Sequence, residues 1–197
     1  MTGRRAVFLD RDGVLIEDVH YLASSSQIEI LPGVPESLRR LHDAGWALVV
    51  VTNQSAVARG LVTEEGLREI HLILEAQLRT RGASLDAIYY CPHHPEGAVA
   101  AFRVVCDCRK PEAGLLLRAA ADLGIDLAAS VMVGDAASDV EAGRRAGCRT
   151  VLLWAAREGG SLPAARVTAD YVATDLADAA RWILAAPAEG WSRTPWG

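Results

Sequence analysis

Two aspartates stand two residues apart in Asp10-Arg11-Asp12-Gly13, directly after the apolar run Ala6-Val7-Phe8-Leu9. A short buried strand would deliver both carboxylates at the carboxyl edge of a sheet, and the glycine lets the chain turn there. Like charges held that close repel unless a cation or a chemical task accounts for them. Mg²⁺ suits such a pair, because it takes hard oxygen ligands from one or two carboxylates plus a substrate phosphate. Two more apolar runs end in comparable groups. Trp46 to Val51 leads into Thr52-Asn53-Gln54-Ser55, and Val131-Met132-Val133 leads into Gly134-Asp135, with Asp139 four residues on. Between them lies Arg109-Lys110-Pro111, and Lys110 is the only lysine among 20 basic residues. An ammonium is a compact point charge suited to one phosphoryl oxygen, whereas arginine offers a wide planar fork. Hydroxyl, ammonium and carboxylates at strand ends are the means of handling a phosphoryl group.

A second cluster has softer donors. Cys91-Pro92-His93-His94 and Cys106-Asp107-Cys108 bracket one long loop. Paired C-x-H and C-x-C spacings suit a tetrahedral Cys₃His zinc site formed by Cys91, His93, Cys106 and Cys108. His93 is preferred to His94 because alternation turns His94 away. With all four positions filled the site is closed and structural, and its task is to fold the loop and fix Arg109-Lys110. Disulfides are the competing reading, which a reducing compartment disfavours. Cys148, at the start of a later strand, reads as a small buried residue.

The elements that must position these groups alternate. Strands are expected over about 5–10, 46–52, 85–91, 131–135, 149–154 and, more weakly, 170–173. Helices are expected over about 34–44, 63–81, 111–123, 138–146 and 175–185, with Thr63 as an N-cap and glycines 45, 82, 124 and 147 as stops. This alternation predicts an α/β fold, a three-layer, doubly wound parallel sheet. Residues 1–186 read as one domain with the zinc loop at 91–108 inserted, and 187–197 as a loosely held tail. The segment 13–33, holding Asp18, His20 and Tyr21, is too long for a simple link. His20 and Tyr21 read equally well as ordinary loop surface or as part of a site.

Composition narrows the partners. The chain of 197 residues is 51% hydrophobic and 23% charged, with a net charge of −5 and a pI of about 5.5. Broad attraction to nucleic acid or anionic membrane is not expected. A phosphate substrate must then be attracted locally, and the acidic balance argues against a polynucleotide phosphatase. No basic and apolar leader opens the chain and no run of ~18 apolar residues occurs, so a cytoplasmic protein is expected. A zinc-stabilised binding module without catalysis would not need Asp10, Asp12, Thr52, Lys110 and Asp135 together.

In order, strand-D-x-D-G, strand-T-N-Q, R-K-P and strand-G-D-x-x-x-D resemble the haloacid dehalogenase (HAD) superfamily of aspartate-nucleophile phosphatases, over roughly residues 5 to 155. Residues 91–111, with Thr52 to Ser55 upstream, more narrowly resemble the bacterial D-glycero-D-manno-heptose 1,7-bisphosphate 7-phosphatases. The histidinol-phosphate phosphatases share the zinc loop in a typically shorter form and are the alternative. The resemblance implies a HAD-like Rossmannoid fold without a separate cap domain and a monomer acting on a small sugar bisphosphate. It implies that Asp10 is the nucleophile and Asp12 the general acid and base. Mg²⁺ would lie on Asp10, the backbone carbonyl of Asp12, and Asp135, with Asp139 a helix-start acid or outer partner. Thr52 and Lys110 would clamp the transferring oxygens. Arg109 resembles the substrate-recognition residue, facing the second phosphate. Asp18, Val19, His20, Tyr21, Asn53, Gln54, Ser55 and Ala136 would line the substrate site. Position 136 is alanine where the heptose enzymes often carry lysine, which leaves the ammonium role to Lys110.

Overall fold

The structure, a computed structural model, describes residues 3–154 and 168–185. In chain order the elements are β1 (Ala6–Leu9), α1 (Val34–Asp43), β2 (Ala47–Asn53), α2 (Glu64–Thr80), β3 (Ala87–Cys91) and α3 (Gly114–Leu123). They continue with β4 (Val131–Gly134), α4 (Ala137–Ala146), β5 (Arg149–Leu153), β6 (Tyr171–Ala173) and α5 (Leu176–Ala185). All six strands are parallel in the order β3-β2-β1-β4-β5-β6. The chain works outward from β1 through β2 to β3, then returns to β1's other side as β4. That reversal opens a crevice at the carboxyl ends of β1, β2 and β4.

Register carries the chemistry to one edge. Leu9 pairs with both Val50 and Val133, so Asp10 and Asp135 emerge just past the ends of β1 and β4, beside Thr52 at the end of β2, where it still pairs with Tyr90. Alternate strand residues pack on opposite faces. Val7, Leu9, Leu48, Val50 and Val133 meet α1, α2 and α5 through Leu38, Leu41, Leu74, Leu78 and Ile183. Ala6, Phe8, Val49, Val51 and Met132 meet α3 and α4 through Leu115, Leu116, Ala119 and Ala142. A sheet covered on both faces explains strands that are apolar throughout rather than alternating. Among the described residues no helix is long and apolar enough to cross a membrane.

The helix expected from Pro111 begins three residues later, at Gly114. Residues 109–112 instead make a turn, with Glu112 N donating to Arg109 O at 2.8 Å, and Gly114 N donates to Asp107 O at 3.0 Å. A Cβ on Gly114 would lie 2.4 Å from Asp107 O, so the cysteine loop closes directly over the helix start. Segment 13–33 is better ordered than a loop. Ile16 bridges both Asp12 and Ile30, and Val14, Leu15, Ile16 and Leu22 are buried. It forms a short flap beside the crevice. Residues 155–167 and the expected tail at 187–197 lie outside the described residues.

Phe8 is fully buried on a central strand. Phe8→Ala is expected to destabilise the fold by about 3–5 kcal/mol through lost burial and a residual cavity. Chemical denaturation with an unchanged m-value checks this.

Candidate active site

Lys110 sits at the centre of the crevice, buried, with its Nζ 2.9 Å from Asp10 Oδ1 and 2.6 Å from Asp139 Oδ1. Its third donor goes to Val51 O at 2.7 Å. Burial alone would favour the neutral amine, but the two carboxylates more than reverse that, and its pKa lies above the ordinary lysine value. Asn53, at the end of β2, fixes the lysine from behind. Its Nδ2 donates to Lys110 O and its Oδ1 accepts from Lys110 N, both at 3.0 Å. Asn53 was expected to line the substrate site; both ends of its amide are instead committed to one peptide of the loop that carries the ammonium.

Asp12 is held by a different set. Arg11, 1% exposed, donates through Nε to Asp12 Oδ1 at 3.2 Å and through Nη2 to both carboxylate oxygens at 3.0 Å. Gln54 donates to Asp12 Oδ2 at 2.9 Å and to Thr52 Oγ1 at 3.0 Å, while its own Oε1 accepts from Arg11 at 2.8 Å. The Gln54 side chain is therefore committed to positioning the acid, which leaves its main chain for any substrate contact. Thr52, with Gln54 donating to it, retains a hydroxyl hydrogen to donate. Behind Arg11 stands His71 Nε2 at 3.1 Å. Burial, reinforced by the guanidinium, lowers the His71 pKa to about 3, so a neutral imidazole accepts from Arg11. The Asp12 pKa lies above the ordinary carboxylate value, raised by burial and by Asp10 against the opposing pull of Arg11 and Gln54.

Neither Arg11 nor His71 was singled out from sequence. A signal was present for His71: it falls among Leu67, Ile70, Leu74 and Leu78, the buried face of α2, where an imidazole needs a partner.

The carboxylates of Asp10, Asp135 and Asp139 converge, with one ligand oxygen from each within 4.8 Å of the others. Burial and the charges of Asp10 and Asp139 raise the Asp135 pKa to about 7, and Asp18 of the flap adds to the shift. Burial likewise raises Asp139 to about 6 against the pull of Lys110. One lysine does not neutralise three carboxylates, and a divalent cation would complete the balance, so the donor set fits Mg²⁺. Asp139 also caps α4, accepting from Ala136 N at 3.0 Å, as expected of a helix-start acid. Gly13 permits the convergence: its φ is +74° and a Cβ there would lie 2.1 Å from Asp135 Oδ2.

The remaining expected substrate residues form the rim. Asp18 Oδ1 accepts from His20 N at 2.7 Å, holding His20 at φ 71°, and Val19 O accepts from Tyr21 N at 2.9 Å. Ser55 opens the turn after β2, its carbonyl accepting from Arg59 N at 3.0 Å. Ala136 lies exposed at the head of α4. Arg109 is tethered through Nη1 to His93 O at 3.2 Å, which ties the rim to the cysteine loop.

In that loop the donor atoms of Cys91, His93, Cys106 and Cys108 form one cluster. Sulfur–sulfur distances are 3.2–3.5 Å and sulfur–Nδ1 distances 3.3–3.7 Å, and none of the three loop cysteines forms a disulfide. A tetrahedron with Zn–S bonds of about 2.3 Å has edges of about 3.8 Å, so the cluster fits zinc with slight contraction. Burial and the neighbouring thiols push Cys91 and Cys108 above the usual thiol value, a cost that a bound cation removes. His94 stays outside, its Nδ1 accepting from Glu96 N at 3.1 Å.

The crevice between β1 and β4, with its aspartate pair, threonine and lysine, is that of a HAD-like hydrolase, and a HAD-hydrolase-like family profile matches residues 107–179. A D-glycero-beta-D-manno-heptose-1,7-bisphosphate 7-phosphatase of Escherichia coli K12 is 47% identical over 174 residues, covering 88% of this chain and 90% of its own. That of Yersinia pestis is 44% identical over 181 residues, covering 91% and 95%. The crystal structure of D,D-heptose 1,7-bisphosphate phosphatase from B. bronchiseptica, complexed with magnesium and phosphate, superposes with a TM-score of 0.77 at 35% identity, covering 91% of this chain and 98% of that one. The chain belongs to the heptose-1,7-bisphosphate 7-phosphatase family of HAD hydrolases.

Two outcomes follow from these charges. Folded Asp135 and Asp139 hold protons more tightly than in the unfolded chain, so the metal-free protein loses stability as pH rises from the ordinary carboxylate value through about 6 to 7. Asp135→Asn is expected to flatten that loss while weakening Mg²⁺ binding, as read by melting across pH with and without Mg²⁺. Cys108→Ser is expected to lower zinc content and melting temperature together, measured by elemental analysis and thermal melting.

Proposed function

We propose that this chain is a Mg²⁺-dependent phosphatase that removes the 7-phosphate of D-glycero-D-manno-heptose 1,7-bisphosphate. It would serve nucleotide-activated heptose synthesis for lipopolysaccharide or surface polysaccharide, in the cytoplasm. The observation that carries the reading is the unequal treatment of two neighbouring carboxylates: Asp10 faces the Lys110 ammonium, while Asp12, half-buried against Arg11 and Gln54, has its pKa raised by desolvation and by Asp10. A nucleophile must be an anion and a general acid must hold a proton.

Asp10 attacks phosphorus in line and forms an aspartyl-phosphate, splitting one hard displacement into two easier ones. Asp12 gives its proton to the departing sugar alkoxide, then takes one from the water that hydrolyses the intermediate. Arg11 and Gln54 keep that carboxyl aimed through both steps. Lys110 and the Thr52 hydroxyl meet the transferring oxygens where charge spreads in the transition state. Asp10, the Asp12 carbonyl and Asp135 would hold Mg²⁺, which when bound neutralises phosphoryl charge and lets two anions approach. Zinc on Cys91, His93, Cys106 and Cys108 would be structural, holding the loop from which Arg109 and Lys110 project. Asp18 to Tyr21, Asn53 to Ser55, Arg109 and Ala136 would border the sugar.

The relatives cited above are named for the heptose bisphosphate, not for histidinol phosphate. Two of those names specify the β anomer, which makes it the first substrate to test. Phosphate release with Mg²⁺ is expected to be fastest, by kcat/KM, on the β-heptose bisphosphate. Faster turnover of histidinol phosphate would overturn the substrate and leave the phosphatase. Asp10→Asn is expected to abolish turnover while melting and zinc content stay as in the wild type, because an amide cannot form the phosphoenzyme.

A further inference from the structure

Helix α2 sends one polar side chain into the buried side of the fold. Among Leu67, Ile70, Leu74 and Leu78 stands His71, 6% exposed, and its Nε2 lies 3.1 Å from Arg11 Nη1. The imidazole is held from behind as well. The Tyr90 ring of β3 lies against it with centroids 5.5 Å apart, and the Tyr90 hydroxyl donates to Glu64 Oε1, in the first turn of α2, at 3.1 Å. Arg11 spends its other donors on the acid: Nε and Nη2 grip both oxygens of Asp12, and Nη2 also bonds Gln54 Oε1. A guanidinium is a rigid planar fork, so an anchor at Nη1 sets the tilt of the edge that faces the carboxylate. Gln54 and the carboxylate hold the fork along one side, and His71 supplies the anchor on the other.

The kind of acceptor matters. A carboxylate at position 71 would compete with Asp12 for the guanidinium. An aliphatic side chain would leave a buried donor unpaired, which is costly. A neutral imidazole does neither. We propose that His71 is a positioning residue for proton transfer: by holding Arg11 Nη1 it fixes the guanidinium that aims the Asp12 carboxyl at the leaving oxygen. The proposal rests on the reading of Asp12 as general acid and deepens it, carrying the support of that acid from the end of β1 to the buried face of α2. His71 gives no proton itself. A proton donor works only when its carboxyl is held in a narrow range of distance and angle from the departing oxygen, and that range is set by the groups packed behind it.

The test compares wild type with His71→Gln, His71→Asn and His71→Leu, and takes Asp12→Asn as the reference for a lost acid. The glutamine amide oxygen reaches the place of Nε2, asparagine falls one methylene short, and leucine matches the apolar face of α2 without an acceptor. Each protein is assayed with Mg²⁺ on the heptose bisphosphate, whose alkoxide leaving group needs a proton, and on dinitrophenyl phosphate, whose phenolate does not. The readout is kcat/KM, which measures the transition state of aspartyl-phosphate formation against free enzyme and substrate and leaves the later hydrolysis out. The asparagine and leucine variants are expected to lose on the order of tenfold to a hundredfold on the bisphosphate, part of what a positioned acid contributes. On dinitrophenyl phosphate they are expected to change little, and His71→Gln is expected to recover most of the loss. The two amides are polar and close in size, so their comparison decides the matter even where leucine disturbs the fold. Equal losses on both substrates, or glutamine and asparagine variants that behave alike, would overturn the role of His71. If Asp12→Asn itself lowers both substrates alike, the general-acid reading falls and the proposal with it.

Discussion

One ammonium among three carboxylates sets the terms for the whole site. Lys110 is buried with Asp10 and Asp139 on either side, and Asp135 stands beside them. Burying like charges is tolerated only where opposite charge is held in register. Register here is enforced by main chain: Leu9 is laddered to Val50 and Val133, and Asp10 N continues the ladder to Val133 O. The cation arrives from none of these strands. It is brought by the cysteine loop and locked by the Asn53 amide. The rigidity of the loop and the charge balance of the crevice are therefore one problem, and the four-donor cluster addresses it by tying Cys106 and Cys108, just before Lys110, to Cys91 at the end of β3.

A companion network gives the second carboxylate its separate character. Asp12 leaves the same strand as Asp10 but meets Arg11 and Gln54 rather than Lys110. Behind it the neutral His71 of α2 accepts from Nη1 of Arg11. The two acids differ in environment although they are two residues apart in sequence, and such divergence is how one site supplies both a nucleophile and a proton carrier.

Much of this was legible in the sequence because the chemistry is carried at strand ends. An apolar run followed at once by Asp10, Thr52 or Asp135 gives both the element and the place of its functional group. The cysteine spacing pointed to the cluster of four donors, with His93 rather than His94, for a similarly local reason. Contacts between distant segments were not legible. The tasks of Asn53 and Gln54 depend on which loop and which acid lie opposite, and nothing in T-N-Q-S records that. Pro111 reads as a helix start on its own, yet the Gly114 amide is claimed by Asp107 across the turn.

The position of β1 in the sheet has a consequence for biosynthesis. It precedes β2 and β4 in the chain and lies between them, so one of its edges stays unpaired until β4 has left the ribosome. Contacts this far apart in sequence close late and slowly, after the local helices and the β1–β2 pair have formed. Until then Asp10 has neither Lys110 nor Asp135 beside it, and a nascent chain lacks the assembled crevice. The charge balance of the crevice is thereby completed only once β4 and the loop carrying Lys110 are both in place.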